Sequence, residues 1–123
     1  MTMKYILLIY DEEKNRAKLS ENELNQLRTE YGQFTQQITS SGHYVTGAPL
    51  QPTRTSTSVR VRDGKRLVTD GPFAETREQL GGYYLINAKD LDEAASIASG
   101  IPGARTGTIE VRPLMEMPVA ARA

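Results

Sequence analysis

Of the side chains that could move a proton or hold a charged group at a site, the strongest candidates fall mostly in one stretch. Between Val68 and Leu85 the chain carries Asp70, Glu75, Arg77 and Glu78, with the step Asp70-Gly71-Pro72 at its start and the pair Gly81-Gly82 just before Tyr83. Gly permits positive φ, and Pro fixes φ and lacks a backbone donor, so the strand entering at Val68 must stop there. The loop that follows is more polar than a plain connection between strands needs to be. Asp70 is the first catalytic candidate, because a partly buried carboxylate can act as general acid or base on a small organic substrate. Glu75, Glu78, Tyr83 and Arg105 are the candidates to hold a ligand beside it, and Gly81-Gly82 leaves room for a bound group. His43, the single histidine, is a second candidate base, although catalysis by His needs an orienting partner. Each has a plainer role open to it: Asp70 as the cap of its own turn, and His43 as a structural or surface residue.

The elements that must position these groups read as follows. Lys4 to Tyr10 is a continuously apolar strand, so both its faces need cover. The charged run Asp11 to Lys18 reads as a solvated connection. Ser20 and Glu23 have capping-box spacing and Leu19 and Leu24 staple spacing, which starts a helix whose stripe is Leu24, Leu27, Tyr31, Phe34 and Ile38. Gly32 inside it marks either a close backbone approach or a tolerated surface glycine. The helix ends near Ser41-Gly42, and His43 to Ala48 forms a short strand running into Pro49 and Pro52.

Asp63-Gly64 is a two-residue hairpin signal between Ser58–Arg62 and Lys65–Thr69. Setting Arg62 opposite Lys65 places Val61 with Arg66, Val59 with Val68 and Thr57 with Asp70 on one side. Asp70 is thus expected at the inward end of an apolar face, walling a pocket at the end of the sheet. Gly81 to Asn87 is a central strand. Asp90 and Glu93 open a second helix with the small face Leu91, Ala94, Ala95 and Ala98, ended by Gly100. Thr106 to Pro113 is the last strand, with Ile109 and Val111 inward, and Met115 to Ala123 forms a tail or dimer arm. The domain is expected over 1–114 and the tail over 115–123.

This order, βαββαβ with an added hairpin, gives an α+β fold with both helices on one face of the sheet. The other face carries apolar strands with nothing to cover them, and a second copy is the simplest cover.

With 123 residues and no Cys, one core suffices, and disulfides, thiol nucleophiles and thiolate metal sites are ruled out. The fifteen basic and fifteen acidic residues cancel, which argues against nucleic acid or an anionic membrane as a partner. The apolar run at the start is too short for a signal peptide or membrane span, and a cytoplasmic protein fits best. There is no phosphate-binding Gly-rich loop, no His-Glu-x-x-His and no Gly-x-Ser-x-Gly, so no metal or cofactor is expected.

The stretch Asp70-Gly71-Pro72-Phe73-Ala74-Glu75-Thr76, with Glu78-Gln79-Leu80-Gly81-Gly82-Tyr83-Tyr84, resembles the DGPF group of the YCII-related proteins. Met3 to Tyr10, Val59 to Lys65 and Gly107 to Pro113 extend the likeness over nearly the whole chain. The resemblance implies a ferredoxin-like fold paired into a dimeric α/β barrel, that is, a homodimer. For other members it also implies a His–Asp dyad, the His early in the first helix and the Asp in an Asp-Pro step after the second. This sequence departs at both places: Ser20 to Arg28 contains no His, and the step here is Ile101-Pro102. Two functions are therefore open. One is a small enzyme with hydrolase- or lyase-like acid/base chemistry on an unknown small molecule. The other is a non-catalytic ligand-binding or regulatory module, which the family resemblance links to sigma-factor signalling.

Overall fold

β1 (Met3–Asp11) lies in the interior of a four-stranded antiparallel sheet, in a computed structural model that describes residues 2–117. It is flanked by β5 (Gln79–Ala88) and β6 (Thr108–Pro113), and β2 (Tyr44–Pro49) pairs with the far side of β5, giving the order β2-β5-β1-β6. Two helices, α2 (Glu21–Ser40) and α3 (Leu91–Ser99), complete an α+β ferredoxin-like fold, and a four-residue helix, α1 (Glu13–Arg16), follows β1 directly. Of the expected tail, 115–123, residues 118–123 lie outside the described residues.

The helices cover one side of the sheet. Tyr5, Leu7, Ile9, Tyr84, Ile86 and Ala88 project to that side and meet Phe34, Ile38, Ala94, Ala98 and Ile101 in one buried cluster. Of the stripe foreseen on α2, Phe34 and Ile38 enter the core and Tyr31 packs against it, while Leu24 and Leu27, on the first turns, are only half-buried and lie outside it. The start of the helix is set by the foreseen cap, in which Glu23 N–H donates to Ser20 Oγ at 3.1 Å and Ser20 N–H to the Glu23 carboxylate at 2.9 Å. On α3 the packing face is Ala94, Ile97 and Ala98 rather than the expected Leu91, Ala94, Ala95 and Ala98, because Leu91 and Ala95 project to the exposed side of the helix. Asp90 caps the helix by accepting from Glu93 N–H at 2.9 Å. Buried hydroxyls are tied rather than stranded: Tyr31 Oη accepts from Gly103 N–H at 3.2 Å, and the Tyr84 and Thr35 hydroxyls meet at 2.7 Å.

Gly32 lies on open surface, so no backbone approaches it. The final strand begins later than Thr106, because Pro102–Arg105 forms a 3-10 turn. Gly107 then passes so close to the Tyr10 carbonyl that a Cβ there would collide with it.

Among the described residues no helix lies on the opposite side of the sheet. The register puts Ile6 beside Leu85 and Leu8 beside Tyr83 there, all half-buried at most by their own neighbours. β3 (Thr57–Arg62) and β4 (Lys65–Asp70) form a separate two-stranded sheet with the expected pairs Val59–Val68, Val61–Arg66 and Thr57–Asp70. Its turn has positive φ at both Asp63 (53°) and Gly64 (73°), the geometry that suits right-twisted strands.

Candidate functional site

At the Asp11 end of β1 the ladder to β5 slips by one residue. Ile9 pairs with Gly82 but Tyr10 pairs with Leu80, leaving Gly81 as the extra residue. A bulge of this kind turns the following side chain to the other face. Leu80 consequently shares the open side of the sheet with Tyr10 and Leu8 instead of entering the core. Gly81 keeps its carbonyl employed by accepting from Leu50 N–H at 2.9 Å, which holds the segment after β2 against the bulge.

That segment runs Leu50-Gln51-Pro52 and closes into a 3-10 turn over Thr53–Thr55. The first N–H of such a turn has no partner inside it. Glu13 supplies one: its carboxylate accepts from Thr53 N–H at 2.8 Å and from Thr53 Oγ1–H at 2.6 Å. Gln79 ties the same corner to the charged loop, its Oε1 accepting from Glu13 N–H at 2.9 Å and its Nε2 donating to the Thr76 carbonyl. The hairpin is anchored next to this, where Gly71 N–H donates to the Ser56 carbonyl and Ser58 Oγ–H to the Gly71 carbonyl, both at 2.8 Å. Gly71 holds φ at 96°, which a side chain would resist.

These ties frame a groove of about 420 Å³ between the Leu50–Ser58 segment and the loop after Asp70. Leu50, Pro52, Pro72, Phe73 and Leu80 give it an apolar lining, and the hydroxyl residues from Thr53 to Ser58 edge it. Among the described residues no titratable side chain lines it. Its size falls within the usual range for small-molecule sites, roughly 300–1,000 Å³. A second, smaller groove of about 290 Å³ lies on the helix side between α2 and the Ser99–Arg105 segment.

The candidate residues are dispersed. Asp70 occupies its expected register position but is exposed, not inward and partly buried. The reason is that, among the described residues, no second layer lies over the Val59, Val61 and Val68 face it terminates. Glu75 is exposed in the loop, Glu78 is half-buried with its carbonyl accepting from Thr76 Oγ1–H at 2.6 Å, and Tyr83 is half-buried on the open sheet face. None of these four lines the groove, although Pro72 and Phe73 of the same loop and Leu80 at the start of β5 do.

Arg105 edges the helix-side groove in a bidentate pair with Glu30, at 2.8 and 3.0 Å. Its hydrogen bonds hold the Glu30 carboxyl below the usual range, and the carboxylate in turn raises Arg105. His43 sits at the other end of β5, Nδ1 2.9 Å from the Asn87 carbonyl and 3.8 Å from Glu93. As the strand advances about 3.3 Å per residue, this is roughly 25 Å from the start of β5, too far for His43 to act with Asp70.

Glu13, Thr53 and Gln79 are the residues that sequence reasoning passed over. Glu13 was hidden in a charged run that reads as solvated. The signal that pointed to it was indirect: a Pro-Thr step opening a turn needs an acceptor for the Thr N–H from elsewhere in the chain.

The family model of the YCII-related domain matches residues 3–118. An uncharacterised protein of Rhizobium meliloti is 37% identical over 114 residues, covering 91% of this chain and 92% of that relative.

Proposed function

The chain belongs to the YCII-related family, and on that premise we propose that it is a homodimeric small-molecule-binding protein whose ligand lies in the groove between Leu50 and Leu80. The observation that carries this is the lining itself: an apolar floor edged by hydroxyls and backbone, with no charged side chain. Such a site favours an uncharged ligand with an apolar body and hydrogen-bonding groups along one side. The second copy belongs to the reading because Ile6, Leu8, Tyr83 and Leu85 share an open face that two chains would cover mutually, their sheets closing into an α/β barrel. Leu80 lies on that same face, so the partner also narrows the mouth of the groove.

A cytoplasmic module of this kind fits the regulatory role, tied to sigma-factor signalling, that the family resemblance implies. Acid/base catalysis is the second reading, favoured by one contact. Thr53 edges the groove and its hydroxyl is held at 2.6 Å by the Glu13 carboxylate, so Glu13 is better placed than Asp70 to take a proton there.

Nile red, a neutral dye whose emission shifts in apolar surroundings, tests the binding reading. It should bind the wild type and Val61→Asn alike, and bind Leu80→Asn about ten-fold more weakly, a difference of about 1.4 kcal/mol. Equal binding by Leu80→Asn, with the fold intact by circular dichroism, would remove the groove as the site. Loss of binding in Val61→Asn alone would place the dye on the hairpin instead.

A further inference from the structure

We infer that the groove between Leu50 and Leu80 takes a hydrogen-bond donor, an alcohol- or phenol-type hydroxyl on an apolar body, and that this group donates to Thr53 Oγ1. This rests on the binding reading proposed above and names the polarity which that reading leaves open. A hydroxyl has one proton to give and two lone pairs to receive with, so a hydroxyl whose proton is already committed can act only as an acceptor. Four hydroxyls of the lining are in that state: Thr53 Oγ1–H donates to the Glu13 carboxylate at 2.6 Å, Thr55 Oγ1–H to the Pro52 carbonyl at 2.7 Å, Ser56 Oγ–H to the Thr53 carbonyl, and Ser58 Oγ–H to the Gly71 carbonyl at 2.8 Å.

Backbone groups along the same edge are committed too. The N–H groups of Leu50, Thr53, Thr55 and Ser56 all donate within the chain, and Pro52 and Pro72 have none to offer. The Pro52 carbonyl receives both Thr55 N–H and Thr55 Oγ1–H, and the Thr53 carbonyl both Ser56 N–H and Ser56 Oγ–H, which fills their lone pairs. What this edge still offers a ligand is hydroxyl oxygen. Gln51 and Thr57 also belong to the lining, but each can give or receive, so neither sets a polarity. Charge singles out Thr53 among the acceptors. Its proton goes to a carboxylate, which polarises the hydroxyl and makes its oxygen the stronger acceptor, and Glu13 forms no ion pair among the described residues. A ligand O–H meets complementary charge there. A ketone, an ether or a carboxylate would instead set lone pairs against lone pairs in an apolar groove and leave its own acceptors unpaired.

The test compares β-naphthol with its methyl ether, the same fluorescent ring with the donor capped, by the dissociation constant of each from its own emission. The proteins are the wild type, Thr53→Ser, Thr53→Val and Leu80→Asn, the fold of each checked by circular dichroism. β-Naphthol should bind the wild type and Thr53→Ser about five-fold more tightly than the ether does, and Thr53→Val, which puts a methyl group in place of the hydroxyl, should bring the two probes within about two-fold of each other. The ether's extra methyl is the same in every protein, so bulk alone would leave the ratio unchanged. Leu80→Asn should weaken both probes alike, which locates them in the groove. Equal binding of the two probes by the wild type, or a preference that Thr53→Val keeps, would overturn the donor inference and leave the groove standing as a site. Failure of both probes to bind, or binding that Leu80→Asn leaves unchanged, would overturn the groove and this inference with it.

Discussion

Leu7 and Ile86 on the helix side of the sheet and Val59 and Val68 on the hairpin are residues of one kind in opposite circumstances. The first two are fully buried within a single chain, while the hairpin pair stays more than half exposed. Both regions are strand pairs in good register, so backbone pairing does not separate them. What separates them is the second layer: α2 and α3 lie over one, and among the described residues nothing lies over the other. Apolar burial follows from having a layer to pack against, and a well-formed strand pair does not create one.

The difference is sharpest for a core truncation. Leu7→Ala should cost about 2–5 kcal/mol, since the methyl groups it removes leave a cavity between β1 and α2 that the packed helices cannot fully close. Urea unfolding would show this as a lower midpoint at unchanged slope, and a loss below about 1 kcal/mol would mean that the helix layer is looser than it looks.

A smaller effect tests whether that layer is also locked by polar ties. Tyr31→Phe removes the acceptor of the buried Gly103 N–H and should cost about 1–3 kcal/mol. Burial raises the Tyr31 hydroxyl above its ordinary value of 10.0, with the Gly103 hydrogen bond opposing, and burial likewise raises Tyr84. The neutral phenols are therefore the folded form. Their contribution is complete below pH 10 and is lost as pH rises through the folded values, because the unfolded chain releases those protons first. Unfolding measured over about pH 9 to 12 should fall more gently in Tyr31→Phe than in the wild type; parallel curves would contradict the assignment.

The smallest expected effect is on the other side. Val59→Ser should change stability by less than about 0.5 kcal/mol in dilute protein, because Val59 is more than half exposed among the described residues. A large loss at high dilution would mean that the hairpin is packed within its own chain.

Local chemistry was the legible part of this fold. Asp63-Gly64 fixed the hairpin down to the pairing of Thr57 with Asp70, and Ser20, Glu23 and Asp90 marked helix starts that the structure keeps. The candidate site was much less legible, because its features depend on contacts between distant segments. The hairpin register says which face Asp70 is on but not whether that face is covered. A glycine pair signals room but not that Gly81 is bulged, and that one residue decides whether Leu80 joins the core or the groove. Glu13 meets Thr53 only because β1 and the segment after β2 converge at the same corner of the sheet.

The interior position of β1 also bears on the order in which the fold can assemble. Leu7 faces Tyr84 on one side and Val111 on the other, and both partners lie far along the sequence. Contacts of such long separation slow folding, since the intervening chain must be ordered before they can form. During synthesis the apolar run from Tyr5 to Tyr10 would leave the ribosome well before either neighbouring strand. Until β6 arrives, the strand destined for the interior is an open edge, and that interval is when a chaperone, or a misplaced second copy, has access to it.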